Sequence, residues 1–426
     1  MNEEEHSRLE AFRQLREEIR GSKEYLIVGI DVAKEKHHAF FGTATGKTLF
    51  RRLIFDNTLK GFEKLLTQVK AIQVAEGLGK VVFGLEPTAD YHKPLGEHLI
   101  GCGLQVVLVA GVAVKNNRAL LDGRWDKHDT KDAANIADLI SQGKCQFYEY
   151  PETALRDLRG LLSFKRKLKK QEHSYRTRIR NHLLAQYFPE LDRSFGTADT
   201  EAVVRWCLAA DRIAGMELEA FMDLVAPGKK GLAQSRRLGA IWQQAIESVG
   251  CAAGEGVAFE SRLMVEGLRQ IREALKATEV KIKEVCLQFP EYPYLLSIPG
   301  FGPDVSAKVL GAIGDPFRFQ NRKQVLKLAG LDLNADRSGK TSHTATPVIS
   351  KRGKADLRYA LYQAAMIASN GNVAFQKYFT GQLQGREKEK GIRTKRRVKL
   401  SAKLLLIAWT LMKKKERFGP GYLYQV

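Results

Sequence analysis

Apolar residues recur along this chain in two rhythms, and the change from one to the other divides it. From residue 24 to about 150, short apolar runs alternate with amphipathic stretches. Runs such as Tyr25-Leu26-Ile27-Val28-Gly29-Ile30 and Val81-Val82-Phe83-Gly84-Leu85 read as strands with buried faces. The pattern predicts strands at Tyr25–Asp31, His37–Gly42, Thr48–Phe55, Val81–Glu86 and Gln105–Ala110. Gly42-Thr43-Ala44-Thr45-Gly46 suits a hairpin turn between the second and third. Phe62, Leu65, Leu66 and Val69 fall at helical spacing, so a helix is expected from Gly61 to about Ala75, and another from about Tyr91 to Ile100. Gly111 to Asp126 is polar and reads as irregular, and a helix then opens at Asp129.

Beyond Pro151 the helical rhythm takes over. Leu155, Leu158, Leu161, Leu162 and Ile179 share a helical period beside the charged run Lys165-Arg166-Lys167-Leu168-Lys169-Lys170. A second long amphipathic helix spans about Glu260–Cys286, and a less regular stretch, 188–256, separates the two. Two long helices flanking an insert suggest an antiparallel, coiled-coil-like arm for dimerisation or spacing. The Lys165–Lys170 run fits such a role and a merely solvated face equally well. Leu295 to Ala307, with Pro299-Gly300-Phe301-Gly302-Pro303 at its centre, resembles a helix-hairpin-helix element. In such a turn Gly300 and Gly302 let the backbone approach a phosphate without reading sequence. The chain thus divides into an N-terminal extension (1–23), an α/β domain (24–150), a helical arm with an insert (151–290) and a mostly helical C-terminal domain (291–426). Three antiparallel strands followed by α/β alternation is the order expected of an RNase H-like domain.

Composition adds a partner to this picture. The 426 residues carry a net charge of +21. From Glu291 onward there are 25 Lys and Arg against 9 Asp and Glu, which leaves only +5 for the first 290 residues. A polyanion is therefore expected along the C-terminal part, bound with a steep dependence on salt. The five cysteines are scattered without a Cys-x-x-Cys pair, which argues against a zinc ribbon or a disulfide framework and suits a reducing cytoplasm. The start is acidic and polar, so no secretory signal is expected. The apolar run Leu404–Trp409 is too short for a bilayer and reads as a buried helix face.

Candidate chemistry lies in acidic residues. Asp31 and Glu86 close two apolar strands, and Asp129 and Asp132 stand three apart at a helix start. A carboxylate ending a buried strand is costly unless something neutralises it, and a hard divalent cation such as Mg²⁺ does so through oxygen ligands. Two such ions can activate a nucleophile and stabilise a leaving oxygen in phosphodiester chemistry. Gly42 to Thr48 imitates a P-loop but has one residue too few between its glycines and joins two strands, so no ATP is implied. The nine histidines show no metal spacing, and each reads as structural or solvated, His128 alone offering a weak supporting role beside Asp129. Ser338 lies in a polar loop between Arg337 and Gly339-Lys340, where spacing alone favours an ordinary loop serine. Lys34, Lys351, Arg352, Arg358 and the basic run Lys395-Arg396-Arg397 are candidate phosphate contacts.

Gly29-Ile30-Asp31-Val32-Ala33-Lys34, Glu86-Pro87-Thr88-Ala89-Asp90-Tyr91 and Asp129-Thr130-Lys131-Asp132-Ala133 resemble the DEDD transposases of the insertion-sequence 110 family. Ile298-Pro299-Gly300-Phe301-Gly302, Ser338-Gly339 and Ser350-Lys351-Arg352-Gly353 are similar to that family's C-terminal transposase domain. Pro87 and Ala89 stand where the family has a small residue and a glycine. The resemblance implies a RuvC-like domain whose Asp31, Glu86, Asp129 and Asp132 hold two Mg²⁺ ions. It further implies that Ser338, against the spacing-based reading, is a nucleophile forming a phosphoserine link to DNA. Arg337 and Lys340 would contact phosphate beside it. The active site would be shared between subunits of a dimer or tetramer acting on element ends and target DNA in the cytoplasm, at the nucleoid. A structured non-coding RNA would guide it, and no membrane is involved. Two other functions remain open: a site-specific DNA invertase of the same architecture, and a nucleic-acid-binding regulator without chemistry. A RuvC-like junction nuclease would differ from all of these in keeping cleavage after Ser338→Ala.

Overall fold

The strand β1 (Tyr25–Asp31) is buried along nearly its whole length, and this settles the layering around it. In the computed structural model, which describes residues 13–122, 129–148, 151–206, 208–334 and 347–425, the chain forms two compact units, Met1–Pro151 and Glu152–Val426. In the first unit β1 pairs antiparallel with β2 (Lys36–Thr43), and β2 pairs antiparallel with β3 (Thr48–Asp56). On its other side β1 runs parallel to β4 (Lys80–Leu85), which runs parallel to β5 (Gln105–Leu108). The short β6 (Gln146–Phe147) closes the edge, giving the order β3-β2-β1-β4-β5-β6.

Alternation along β1 sends its side chains to two different cores. Leu26, Val28 and Ile30 join Phe62, Leu65 and Val69 of the helix α1 (Leu59–Glu76) and Leu95 and Leu99 of α2 (His92–Gly101). Thr58 caps α1 by accepting from the Gly61 N–H at 3.2 Å, and Gly77 ends it at φ +67°. Tyr25 and Ile27 face the opposite layer, with Val114 of α3 (Gly111–Asp122) and Ile136, Leu139 and Ile140 of α4 (Asp129–Ser141). Leu15 and Ile19, in a helical stretch over 13–19, complete that layer. A Cβ at Gly29 would stand 2.2 Å from the Ala133 carbonyl oxygen, so α4 rests directly on the β1 backbone.

Two stretches depart from the sequence pattern: 188–256, read as less regular, carries the helices Ala198–Trp206, Leu218–Val225 and Leu232–Ile246, and the other lies in the first unit. Gly111–Asp122, expected to be irregular, is a helix. Polar contacts help Val114 to hold it: Asn117 donates to Asn135 Oδ1 at 2.6 Å and Asp138 Oδ2 at 2.8 Å, and Asn135 donates back to the Val114 carbonyl at 2.8 Å. A buried amide network thus fastens this helix to α4 beside the apolar contact of Val114.

The second unit is built on the helices Thr153–Arg178 and Glu255–Cys286. They run antiparallel, as the pairs Lys165–Glu279, Arg272–Glu172 and Arg178–Glu260 show, with N···O distances of 2.8, 3.3 and 2.6 Å. The first helix passes through a π-helical turn, Ile179–Leu184, into the insert. There Leu183, Phe188, Val203, Phe221 and Leu238 form a core of their own with Val265 and Leu268. At the other end of the helix pair, Leu158, Ile282 and Cys286 join a larger core with the C-terminal helices Pro303–Ile313, Ala355–Gly371 and Ile392–Lys414. Leu404, Leu405 and Ile407 are fully buried in it. The turn before Pro303 depends on Gly300 (φ +86°), whose missing Cβ leaves 2.4 Å to the Ala364 carbonyl oxygen. Among the described residues no helix is long and apolar enough to cross a membrane.

Candidate active site

Backbone register brings two of the acidic residues, Asp31 and Glu86, to the carboxyl edge of the sheet. Ile30 is the partner of Leu85 across the parallel β1–β4 pair, so Asp31 and Glu86 are the next neighbours, on strands about 5 Å apart. Both follow the parity of Tyr25, Ile27 and Val82 and therefore face the α4 side. Gly111 sits at the start of α3 with the Glu86 carboxylate against it: a Cβ there would lie 2.7 Å from Oε1. That absent side chain leaves room for Glu86 beside a helix N-terminus, which favours negative charge.

The helix α4 brings the other two acids to the same edge. Asp31 faces His38 directly across the antiparallel β1–β2 pair, and His38 Nε2 lies 3.7 Å from Asp129 Oδ2. The Asp129 side chain is more than half exposed. Asp132, one turn on, is 2% exposed and takes a 2.7 Å hydrogen bond from Arg118 Nε of α3. Neither His38 nor Arg118 stands out in the sequence; His38 becomes noticeable only once the hairpin register sets it opposite Asp31. His37, its neighbour, points to the other core and is fully buried against Phe55 and Phe62. Its Nδ1 accepts from the Ala33 N–H at 3.2 Å, and burial lowers its pKa.

Among the described residues no three carboxylate, imidazole or thiol groups stand close enough together to hold an ion. The donor set nevertheless fits a hard divalent cation in kind, because Asp31, Glu86 and Asp129 supply only carboxylate oxygen at one sheet edge. Asp132 differs in already having a cationic partner. Glu86 ends its strand at an unusual corner: Ala89 has φ +45°, a left-handed conformation, at the position where the resemblance has glycine.

The remaining candidates lie in several settings. Lys34 is exposed in the loop after β1, where its carbonyl accepts from Asn57 Nδ2. Ser338, Arg337 and Lys340 lie outside the described residues, as does His128. On either side of 335–346 the chain is paired, Leu333 with Ile349 and Asn334 with Val348. Below that pairing Ser350 donates to Asp332 and the Lys351 N–H donates to the Gly330 carbonyl at 3.0 Å. Lys351 and Arg352 are exposed, Lys351 at φ +55°. Arg358 is turned inward and donates to the Ala329 carbonyl at 2.9 Å, so it fastens the turn. Gly300 is occupied by packing, whereas Gly302 has open space beside it. Lys395 is exposed, Arg396 reaches Gln382 and Arg397 lies over the Phe379 ring at 5.7 Å.

Comparison with known proteins matches both ends of the chain to one family. Residues 28–189 match the family model of DEDD transposases of IS110, described as transposase. Residues 292–380 match the model described as transposase, IS116/IS110/IS902 family. The chain is 26% identical over 366 residues to the insertion element IS110 uncharacterized 43.6 kDa protein of Streptomyces coelicolor, covering 84% of this chain and 87% of that protein. It is similar also to the pilin gene-inverting proteins of Moraxella bovis, 34% over 127 residues, and Moraxella lacunata, 29% over 160 residues. These matches cover 29% and 36% of this chain, and 37% and 48% of the inverting proteins.

Proposed function

Because the chain belongs to the IS110 family of transposases, we propose that it cuts and rejoins DNA at the ends of an insertion element through a phosphoserine intermediate. The observation that carries this reading is the register that ends Asp31 and Glu86 on adjacent strands at one sheet edge, with Asp129 3.7 Å from the His38 facing Asp31. Asp31, Glu86 and Asp129 would hold Mg²⁺, and Asp132 would join them on exchanging Arg118. Bound there, the ions would polarise the scissile phosphate and stabilise the departing oxygen.

The chain's own groups do the rest. The Ser338 hydroxyl attacks phosphorus, its Oγ–P bond forming as one bridging P–O bond of the strand breaks. The freed DNA hydroxyl leaves, and a second strand's hydroxyl later reverses the step on the serine ester, so the phosphodiester is conserved without ATP. Ser338 would act at a composite site shared between subunits of a dimer or tetramer. Lys34, Gly302, Arg337, Lys340, Lys351, Arg352 and Lys395 are suited to hold the DNA backbone by charge or close approach. A structured RNA guide belongs to the same proposal as an expectation from the family alone, since the +16 balance after residue 290 suits DNA and RNA alike. The working location would be the cytoplasm, at the nucleoid.

The test is incubation with element-end DNA, the element's RNA and Mg²⁺, followed by denaturing gels. Wild type should yield a protein–DNA adduct, whereas Asp31→Ala and Ser338→Ala should yield neither adduct nor recombinant. Cleavage that survives Ser338→Ala would instead assign a RuvC-like junction nuclease. The similarity to pilin gene-inverting proteins favours a second reading, a DNA invertase of the same architecture. Sequencing the joined products separates the two, since inversion re-joins flanking DNA within one molecule. Strand binding without cleavage under any of these conditions would leave a regulator.

A further inference from the structure

Within the second unit a cavity of about 630 Å³ opens between the Thr153–Arg178 helix, the Pro303–Ile313 helix and the first turn of Ala355–Gly371. Its volume is that of a small-ligand site, for which about 300–1,000 Å³ is usual. The walls carry an excess of one charge. Arg159, Lys165, Arg166 and Lys169 come from the first helix, Lys308 from the second, and Lys354 stands at the entrance to the third. Only two lining residues, Asp304 and Asp356, are acidic.

The internal pairings leave part of that charge uncompensated. Asp304 accepts from Lys165 at 2.7 Å and Lys308 at 2.6 Å, and Asp356 accepts from Arg166 at 3.1 Å. Glu279 pairs with Lys165 as well, at 2.8 Å, so the carboxylates of this wall engage Lys165, Lys308 and Arg166. Among the described residues no carboxylate pairs with Lys169 or Lys354. Lys354 is the N-cap residue of the Ala355–Gly371 helix, and its side chain makes no cap bond. The free N–H groups of that first turn add a positive dipole end to the same wall. At the rim Tyr359 is 62% exposed, its hydroxyl taking a 3.2 Å hydrogen bond from Gln363.

We propose that this cavity is a binding site for one phosphate group of a nucleic-acid backbone, gripped by Lys354, Lys169 and the first turn of the Ala355–Gly371 helix. The ammonium of Lys354 keeps contact with solvent but is crowded: desolvation, then Arg159 and Arg318, push its pKa down to about 8. An anion in the cavity relieves that repulsion. The exposed Tyr359 ring offers a stacking surface for the adjoining sugar or base, which a free anion does not use. The site lies outside the acidic edge and the serine segment. It rests on the recombinase reading only for the source of the phosphate.

The test uses the full chain and begins with inorganic phosphate, titrated against chloride at equal ionic strength while thermal unfolding is followed. Wild type and a control, Lys229→Gln in an exposed turn of the insert, should be stabilised alike. Lys354→Gln and Lys169→Gln should each need about tenfold more phosphate for the same shift, as befits loss of one charge-assisted hydrogen bond. Lys169 is exposed on its helix, so this variant decides the matter if Lys354→Gln folds poorly. Duplex DNA and a structured RNA are then bound at several salt concentrations. In the arm that supplies the phosphate, each variant should lower the slope of log K against log salt by about one. Equal responses to phosphate in all four proteins would overturn the proposal, as would competition by poly-glutamate in place of phosphate. A phosphate response with unchanged slopes for both DNA and RNA would overturn its nucleic-acid part. The pocket is tested without cleavage, so failure here and failure of the recombinase reading are distinguishable.

Discussion

Arg118 Nε stands 2.7 Å from Asp132 Oδ1, and the pair is sheltered enough that the aspartate is 2% exposed. An acid so buried needs a counter-charge in the free protein, and Arg118 supplies it. Arg118→Ala leaves a buried carboxylate alone, which should cost about 3 kcal/mol of stability without divalent ions. If Asp132 is a metal ligand, millimolar Mg²⁺ should recover much of that loss, more than it raises wild-type stability. Denaturant melts of both proteins with and without Mg²⁺ measure the difference. A loss that Mg²⁺ leaves untouched would give Asp132 a purely structural role.

Gly29 allows α4 to rest on β1, since a Cβ would meet the Ala133 carbonyl oxygen at 2.2 Å and the Ala137 nitrogen at 2.6 Å. Both obstacles are backbone, so neither can turn aside. Gly29→Ala should lower stability by about 3 kcal/mol and lift the helix that carries Asp129 and Asp132. Thermal melting gives the first number. Hydrogen exchange along α4, faster than in wild type, reports the second.

Ala89 holds φ +45° three residues after Glu86. Glycine has no steric penalty there, though it gains freedom in the unfolded chain. Ala→Gly ordinarily loses about 0.4–1 kcal/mol, whereas Ala89→Gly should be neutral or gain about 0.5 kcal/mol. The urea midpoint is the measurement, with Ala137→Gly in the middle of α4 as a contrasting loss.

The fold favours the neutral form of His37, because burial lowers its pKa and its Nδ1 lone pair accepts from the Ala33 N–H. As pH falls through about 6.5 the unfolded ring therefore takes up a proton more readily than the folded one, and stability falls with pH. Replacing the ring with Phe removes that slope at the cost of the accepted hydrogen bond. Stability between pH 7.5 and 5 should decline less steeply in His37→Phe than in wild type.

Much of the architecture was legible because apolar periodicity reports burial directly. β1 emerges as the buried strand its run suggested, and Glu255–Cys286 as a helix starting five residues earlier than its pattern. The helix Gly111–Asp122 was not legible, since Asn117 and Asn135 do with paired amides part of what apolar side chains usually do. Polar residues look alike in sequence whether solvated or satisfied inside. His38 and Arg118 escaped notice for the same reason: each gains meaning from a partner on another element.

By itself the sequence determined the strand and helix order, the acidic residues at strand ends and the basic character of the last third. Those follow from local rhythm and composition. Only the tertiary structure decided that Asp31 and Glu86 end adjacent strands, that Asp129 stands 3.7 Å from the His38 facing Asp31, and that Asp132 is claimed by Arg118. Strand register and helix docking are set by backbone pairing and by the space that glycines leave, and both act between residues far apart in the chain.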